Sequence, residues 1–337
     1  MDNSLKSGAL FAGIGGFCVG LQSEGFKTDW AIENDSASVR TYEANVATRV
    51  VKDHEEVPKS ITDVSVIGDN LTQVDILHAG FPCQSFSVAG DRKGFADPRG
   101  QLFFEIVRIL REFDDARPSV LLLENSPNLK NGDSGRWFLE VTSRLQGAGY
   151  WFRDANAFVL DSYDYTDVPQ RRKRLFMVAF ATNKFRNGRM NLDFPRKQQH
   201  TRLDQYIDFD GELDDNSYYL DSNNKYYAML ISKAQKSRSV VQLRKYEVRE
   251  KGVDSVPTLT ANMGQGGHNV PFIVDRRGLR KLTEFECLRL QGFPANFVFP
   301  EDVGRAKRYQ QVGNAVVPPL IELIGNAVKR KILEERI

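Results

Sequence analysis

The chain has 337 residues, 41% of them hydrophobic, and 46 Lys and Arg against 44 Asp and Glu leave a net charge of +2. That suits one large domain or two smaller ones around a substantial core; no apolar stretch reaches the roughly 18 residues of a membrane span, and Met1-Asp2-Asn3-Ser4-Leu5-Lys6 lacks the apolar core of a signal peptide. Three cysteines without paired or metal-type spacing argue against a disulfide framework or a metal site and fit a reducing compartment, so a cytoplasmic protein is expected.

Short apolar runs at residues 8–12, 29–33, 74–79, 120–124, 158–160 and 175–180 read as strands alternating with helical patterns. This order predicts an α/β fold on a doubly wound sheet. After the first run, Phe11-Ala12-Gly13-Ile14-Gly15-Gly16 is a glycine-rich turn that lets backbone approach a ligand at a helix N-terminus. A dinucleotide fingerprint wants a third glycine at position 18, which is Cys18, so a nicotinamide dehydrogenase loses support. The second run ends in Glu33-Asn34, where a carboxylate can meet the ribose hydroxyls of a nucleoside.

The third run opens onto Gly80-Phe81-Pro82-Cys83, which puts Cys83 at the carboxyl end of a buried parallel strand, where ligand chemistry gathers. A thiol in that place reads as a nucleophile, whereas Cys18 and Cys287 read as core. Leu102, Phe103, Ile106, Val107, Ile109, Leu110 and Phe113 recur at helical spacing and should cover the sheet. The run ending in Glu124-Asn125 brings an acid to the same sheet edge as Cys83, where the bland alternative is a solvated surface acid. Arg172 and Arg174 precede the next strand, and alternation points them to one face; a lone basic cluster would otherwise face solvent or phosphate.

Beyond residue 182 the alternation fades. Residues 203–224 hold seven acidic side chains and no basic one, and residues 225–252 hold eight Lys or Arg against two Glu. Arg276-Arg277 with Arg280-Lys281, and Arg305 with Lys307-Arg308, are candidates for following a phosphate backbone. Thr258 leads into a loop with Gly264, Gly266 and Gly267, and Pro318-Pro319 opens a final helix over 316–332.

The string Gly80-Phe81-Pro82-Cys83-Gln84-Ser85-Phe86-Ser87 strongly resembles the nucleophile motif of the cytosine-C5 DNA methyltransferases, and further motifs follow in family order from Phe11 to Pro318. The resemblance implies a Rossmann-like S-adenosylmethionine-binding catalytic domain over 1–184 plus 313–337, a smaller, irregular, mostly β target-recognition domain over 185–285, and a hinge over 286–312. It implies Cys83 as nucleophile toward carbon 6 of cytosine, Glu124 at N3 and the exocyclic amine, Arg174 at O2, and Arg172 bracing the active site. Cofactor contacts are expected from Phe11, Gly13, Ile14, Gly15, Gly16, Glu33, Asn34, Ser60, Ile61, Pro82, Leu102, Asn314 and Ala315. DNA contacts are expected from Gln84, Ser85, Ser87, Ala89, Arg99, Thr258, Gly264, Gly266 and Gly267.

Four positions depart from the family pattern, one of them Ser126, which replaces the valine of a Glu-Asn-Val motif outside the reacting groups. Ser60 stands where an aspartate usually meets the adenine amino group, with Asp63 nearby; Ala315 replaces a frequent serine; and Ala89 is a small residue at the position that enters the space left by a flipped base. Residues 85–100, with three glycines, read as a loop closing over DNA. The target base must leave the helix before any of these groups reaches it.

The implied activity is a sequence-specific, S-adenosylmethionine-dependent DNA (cytosine-5-)-methyltransferase of bacterial or phage restriction-modification type. It would act as a monomer on double-stranded DNA in the cytoplasm, associated with the nucleoid, beside a separately acting endonuclease, without metal or membrane. Two rivals stand beside it. An RNA (tRNA) cytosine-5-methyltransferase would carry Pro-Pro-Cys-Gln-Pro rather than Phe81-Pro82-Cys83-Gln84-Ser85, and a non-catalytic sequence-specific DNA-binding protein has no use for an intact Cys83, Glu124 and Arg174. Base-reading side chains should lie within 185–256, with no individual reader indicated.

Overall fold

The structure, a computed structural model, describes all residues except 1–3, 83–94, 96, 191, 193, 198–200, 245–246, 253 and 266–268, and leaves out the side chains of 98, 99, 236 and 237. The chain runs β1 (Leu5–Leu10), α1 (Gly16–Ser23), β2 (Phe26–Ile32), α2 (Ser36–Asn45), β3 (Arg49–Val50), β4 (Ile76–Gly80), α3 (Pro98–Glu112), β5 (Val120–Asn125), α4 (Asn128–Asn131), α5 (Arg136–Gly147), β6 (Tyr150–Trp151) and β7 (Ala157–Asp161). It continues with α6 (Ser162–Tyr165), β8 (Gln170–Arg171), β9 (Lys173–Ala181), α7 (Tyr227–Ser237), β10 (Val241–Arg244), β11 (Glu247–Glu250), β12 (Val256–Pro257), β13 (Pro271–Val274), β14 (Leu279–Lys281), α8 (Glu284–Leu290), α9 (Arg305–Asn314) and α10 (Pro318–Glu335). Two compact units result. One comprises Met1–Leu160, Lys173–Phe194 and Ile321–Ile337, the other Asp161–Arg172 and Pro195–Leu320.

The first unit is the expected α/β sheet, in the order β3-β2-β1-β4-β5-β9-β6 with β7 on β9. Strands β1 to β5 pair in parallel, and β9 runs antiparallel to β5. After β1 the chain steps outward to β2 and β3, then returns to the other side of β1 as β4. The switch point therefore lies between β1 and β4, and the loops leaving both carboxyl ends open at the crevice where such sheets bind ligands. Buried on both faces, β5 carries the unbroken apolar run Val120, Leu121, Leu122 and Leu123, and β4 is apolar except for His78. Gly8 has a packing reason: a Cβ there would sit 2.4 Å from the Trp30 ring.

Strand β1 starts at Leu5 rather than at residue 8. Ser7 hid this extension as a polar break, because its hydroxyl is buried and bonded to Thr28 Oγ1 at 3.0 Å. The two-residue strands β3 and β6 are too short for any periodicity to announce them.

The second unit holds an antiparallel sheet in the order β11-β10-β13-β14, with α7 packed on it through Leu230 and Ala234 against Val241, Leu243 and Phe272. A parallel pair, β8 with β12, lies apart from that sheet. Part of the segregated charge is engaged in ion pairs within this unit. Asp210 pairs with Arg238, Asp215 with Arg305, Glu284 with Arg308, and Arg280 with both Asp275 and Glu286. Arg280, Arg305 and Arg308 are thus bound to carboxylates of their own unit, a structural use that the expectation of phosphate-following clusters did not provide for.

Among the described residues no helix is long and apolar enough to cross a membrane.

Candidate active site

The turn after β1 is held by bonds from Ala12 N–H to the Ile32 carbonyl (3.0 Å) and from Gly15 N–H to the Ala12 carbonyl (2.9 Å). Gly13 and Gly15 take φ of 55° and 88°, the left-handed region that glycine enters without strain. A Cβ on Gly13 would meet nothing within 4 Å, so open space borders the turn there, whereas one on Gly15 would lie 2.8 Å from Val46. Glu33 ties the turn to the next strand: Oε2 accepts from Gly13 N–H and Oε1 from Asp35 N–H, both at 2.8 Å. Burial pushes the Glu33 carboxyl pKa up, against the pull of these backbone donors. The Asn34 backbone also bonds this carboxylate, and of its roughly four lone-pair sites about one is left to accept from a ribose hydroxyl, so the turn fits a nucleoside cofactor.

The other expected cofactor residues differ in what they offer. Ile14 and Ile61 are buried as core, while Phe11 and Leu102 pack half-buried against it. Gly16 opens α1, Asn34 is exposed, and Pro82 is half-buried. Ser60 caps a short 3-10 turn, its Oγ accepting from the Thr62 hydroxyl at 2.9 Å, and Asp63 is exposed.

Behind the turn lies a buried polar cluster. The Phe17 ring stacks on His78 at 4.8 Å, His78 Nε2 is 3.7 Å from Cys18 Sγ, and Cys18 Sγ is 3.3 Å from the Tyr42 hydroxyl. Cys18 and Cys287 are both core, as expected, and burial raises their thiol pKa values. His78 is 1% exposed, its Nδ1 has no hydrogen-bond partner among the described residues, and burial lowers its pKa to about 3.

The sign of the resulting pH dependence follows directly. Between about pH 6.5 and about pH 3 the unfolded chain binds a proton at this position and the folded chain does not. Stability is therefore lost as pH falls below the unfolded value, by up to about 1.4 kcal/mol per unit. Urea unfolding at pH 7 and pH 5 should show a smaller acid-induced loss for His78→Gln than for the native chain; equal losses would contradict this.

At the switch-point edge Gly80 of β4 pairs with Glu124 of β5. Glu124 is 8% exposed, and its Oε1 lies 2.8 Å from Arg174 Nε on β9. Asn125, fully buried, donates from its amide to the Phe81 carbonyl at 3.1 Å and accepts from Ser126 N–H at 2.8 Å. It thereby tethers the chain two residues before Cys83, a positioning role that the residues alone did not assign. Cys83, Gln84, Ser85, Ser87 and Ala89 lie outside the described residues, as does the Arg99 side chain. The expected loop over 85–100 ends sooner than its glycines suggested, because residues 98–100 already belong to α3.

Alternation assumed one continuous strand through Arg172 and Arg174, but β8 ends at Arg171 and β9 begins at Lys173. Arg172 is buried in the second unit, donating to the carbonyls of Leu259 (2.8 Å), Gly313 (3.0 Å) and Ala315 (2.8 Å). Gln170 bonds the Gln291 side chain at 2.8 Å and accepts from Leu259 N–H at 2.9 Å, while Gln291 donates to the Ala315 carbonyl. Gln170, Arg172 and Gln291 are thus a buried polar knot fastening backbone segments of that unit. Gly313 is glycine because a Cβ would fall 2.3 Å from the Thr260 carbonyl carbon.

Thr258 Oγ1 donates to the Arg171 carbonyl at 2.7 Å, and Gly264 packs so close to Tyr309 that a Cβ would lie 2.6 Å from its ring. Gly266 and Gly267 lie outside the described residues, and Asn314 is exposed at the end of α9.

A family model for C-5 cytosine-specific DNA methylases matches residues 5–330. The type II methyltransferase M.Bsp6I of Bacillus sp. (strain RFL6) is 36% identical over 332 residues, covering 98% of this chain and 100% of that one. The type II methyltransferase M.HpaII of Haemophilus parainfluenzae is 31% identical, with 96% and 88% covered. In fold, the chain is similar to the Entamoeba histolytica methyltransferase EhMeth, with a TM-score of 0.70 at 17% identity over 99% of this chain and 100% of that one. With the family model spanning nearly the whole sequence and a relative 36% identical over its full length, the chain belongs to the C-5 cytosine-specific DNA methylase family.

Proposed function

We propose that Cys83, Glu124 and Arg174 carry out methyl transfer to carbon 5 of a cytosine flipped out of double-stranded DNA. The family gives the reaction class; the observation that supports these residue roles is the largely buried Glu124–Arg174 pair beside the strand that leads to Cys83. Carbon 5 of cytosine is a weak nucleophile. Addition of the Cys83 thiolate to carbon 6 makes the ring enamine-like, with negative charge spreading toward N3 and O2. Glu124 meets N3 and the exocyclic amine, and Arg174 meets O2 while fixing the carboxyl group through its 2.8 Å contact. Bound S-adenosylmethionine supplies the methyl group. Transfer of the carbon 5 proton to a water molecule acting as base then restores the double bond as the thiolate leaves carbon 6.

In this reading the Gly13–Glu33 turn holds the adenosine, and Ser60 or Asp63 faces the adenine. The enzyme acts as a monomer in the cytoplasm on nucleoid DNA, and its methylation protects sites cut by a separate restriction endonuclease.

The test is incubation with S-adenosylmethionine and a mixed-sequence duplex library, followed by base-resolution mapping of 5-methylcytosine. Methylation confined to one short motif is expected. Transfer to tRNA in preference to duplex DNA, or no transfer with cofactor binding intact, would overturn the reading.

A further inference from the structure

We infer that Arg171 is a DNA-backbone contact of this enzyme, its guanidinium pre-set to take one phosphate beside the turn at Thr258. The inference rests on the DNA-methyltransferase reading and adds a residue to it. Arg171 is half-buried on β8, with its guanidinium 3.9 Å above the Tyr163 ring and Nε donating to Ser255 Oγ at 3.3 Å. Ser255 is buried and is itself anchored to the Lys251 carbonyl at 2.5 Å. The stack and the bond fix the plane of the fork and occupy one of its five N–H donors.

No carboxylate among the described residues pairs with Arg171. Arg174, Arg238, Arg280, Arg305 and Arg308, by contrast, each pair with one. A planar cation already held in place, with donors to spare, suits bidentate recognition of phosphate.

Thr258 is less able to donate to that phosphate. A phosphate oxygen only accepts hydrogen bonds, and the Thr258 hydroxyl already gives its proton to the Arg171 carbonyl. Thr258 would have to surrender that bond to donate to a phosphate, so the adjacent Arg171 is the better placed donor. Such a contact sets register on the duplex and carries no base information.

The test is the salt dependence of duplex binding by the full-length protein, with cognate and scrambled oligonucleotides. Arg171→Gln, which keeps a planar polar group and loses the charge, should lower the slope of log K against log salt by about 0.9. At about 0.1 M salt that corresponds to roughly eightfold weaker binding, equal for both duplexes. Arg171→Lys should keep the native slope. An unchanged slope in Arg171→Gln, or a loss confined to the cognate duplex, would overturn the assignment, and unfolding midpoints of both variants separate either result from misfolding. Should the native protein neither bind nor methylate duplex DNA, the underlying function fails instead.

Discussion

Glu124→Gln is expected to slow methyl transfer by about 10²- to 10⁴-fold, the scale lost when an acid–base or charge-stabilising group is removed. The substitution keeps volume and the hydrogen bond geometry of one oxygen, so the fold at the end of β5 should survive. It removes the carboxyl proton donor and leaves the Arg174 guanidinium, which contacts Glu124 Oε1 at 2.8 Å, beside a neutral amide. The turn proposed to hold the cofactor is tied by a different carboxylate, Glu33, which accepts from the Gly13 and Asp35 N–H groups. Cofactor affinity should therefore stay within a few-fold of native. Single-turnover rates at saturating DNA, paired with a cofactor titration, give both numbers. A rate loss below tenfold would remove Glu124 from the chemistry.

Arg280→Ala should cost about 3–5 kcal/mol of stability, the penalty for breaking a buried ion pair by removing one partner. Arg280 is 2% exposed and lies between Asp275 (0%) and Glu286 (6%), with its Nε 2.7 Å from Asp275 and its Nη1 2.8 Å from Glu286. The lone pairs left over are also used. Tyr219 donates to Asp275 Oδ2 at 2.8 Å, and Thr283 N–H donates to Glu286 Oε2 at 2.7 Å in the capping box that starts α8. Truncating the arginine would strand two buried carboxylates without a counter-charge. Urea unfolding at pH 7 should show this loss. A change below about 1 kcal/mol would mean that the cluster is solvated, contrary to its burial.

The first unit was the more legible from sequence, for physical reasons. Parallel strands buried on both faces read as near-continuous apolar runs, as β5 does from Val120 to Leu123 and β4 does apart from His78. Glycines at positive φ mark the first turn because few other residues tolerate it. What the sequence concealed depends on long-range pairing. Arg171, Arg172 and Arg174 lie within four residues, yet they engage an aromatic ring and a serine, three backbone carbonyls, and a carboxylate, respectively. Nothing local distinguishes these partners, and a one-residue strand break at Arg172 undoes the alternation that would have grouped them. The carboxylates that engage Arg305 and Arg308, Asp215 and Glu284, likewise lie 90 and 24 residues away in sequence, so nothing local announces those pairs.

The most direct measurement of the central claim is covalent trapping on duplex DNA carrying 5-fluorocytosine at the cytosine found to be methylated. Fluorine at carbon 5 blocks the proton loss that precedes release, so the thiolate adduct should persist through denaturation, and peptide mapping should place it on Cys83. Turnover of ordinary DNA under the same conditions with no trapped adduct, or an adduct on Cys18 or Cys287, would contradict the account.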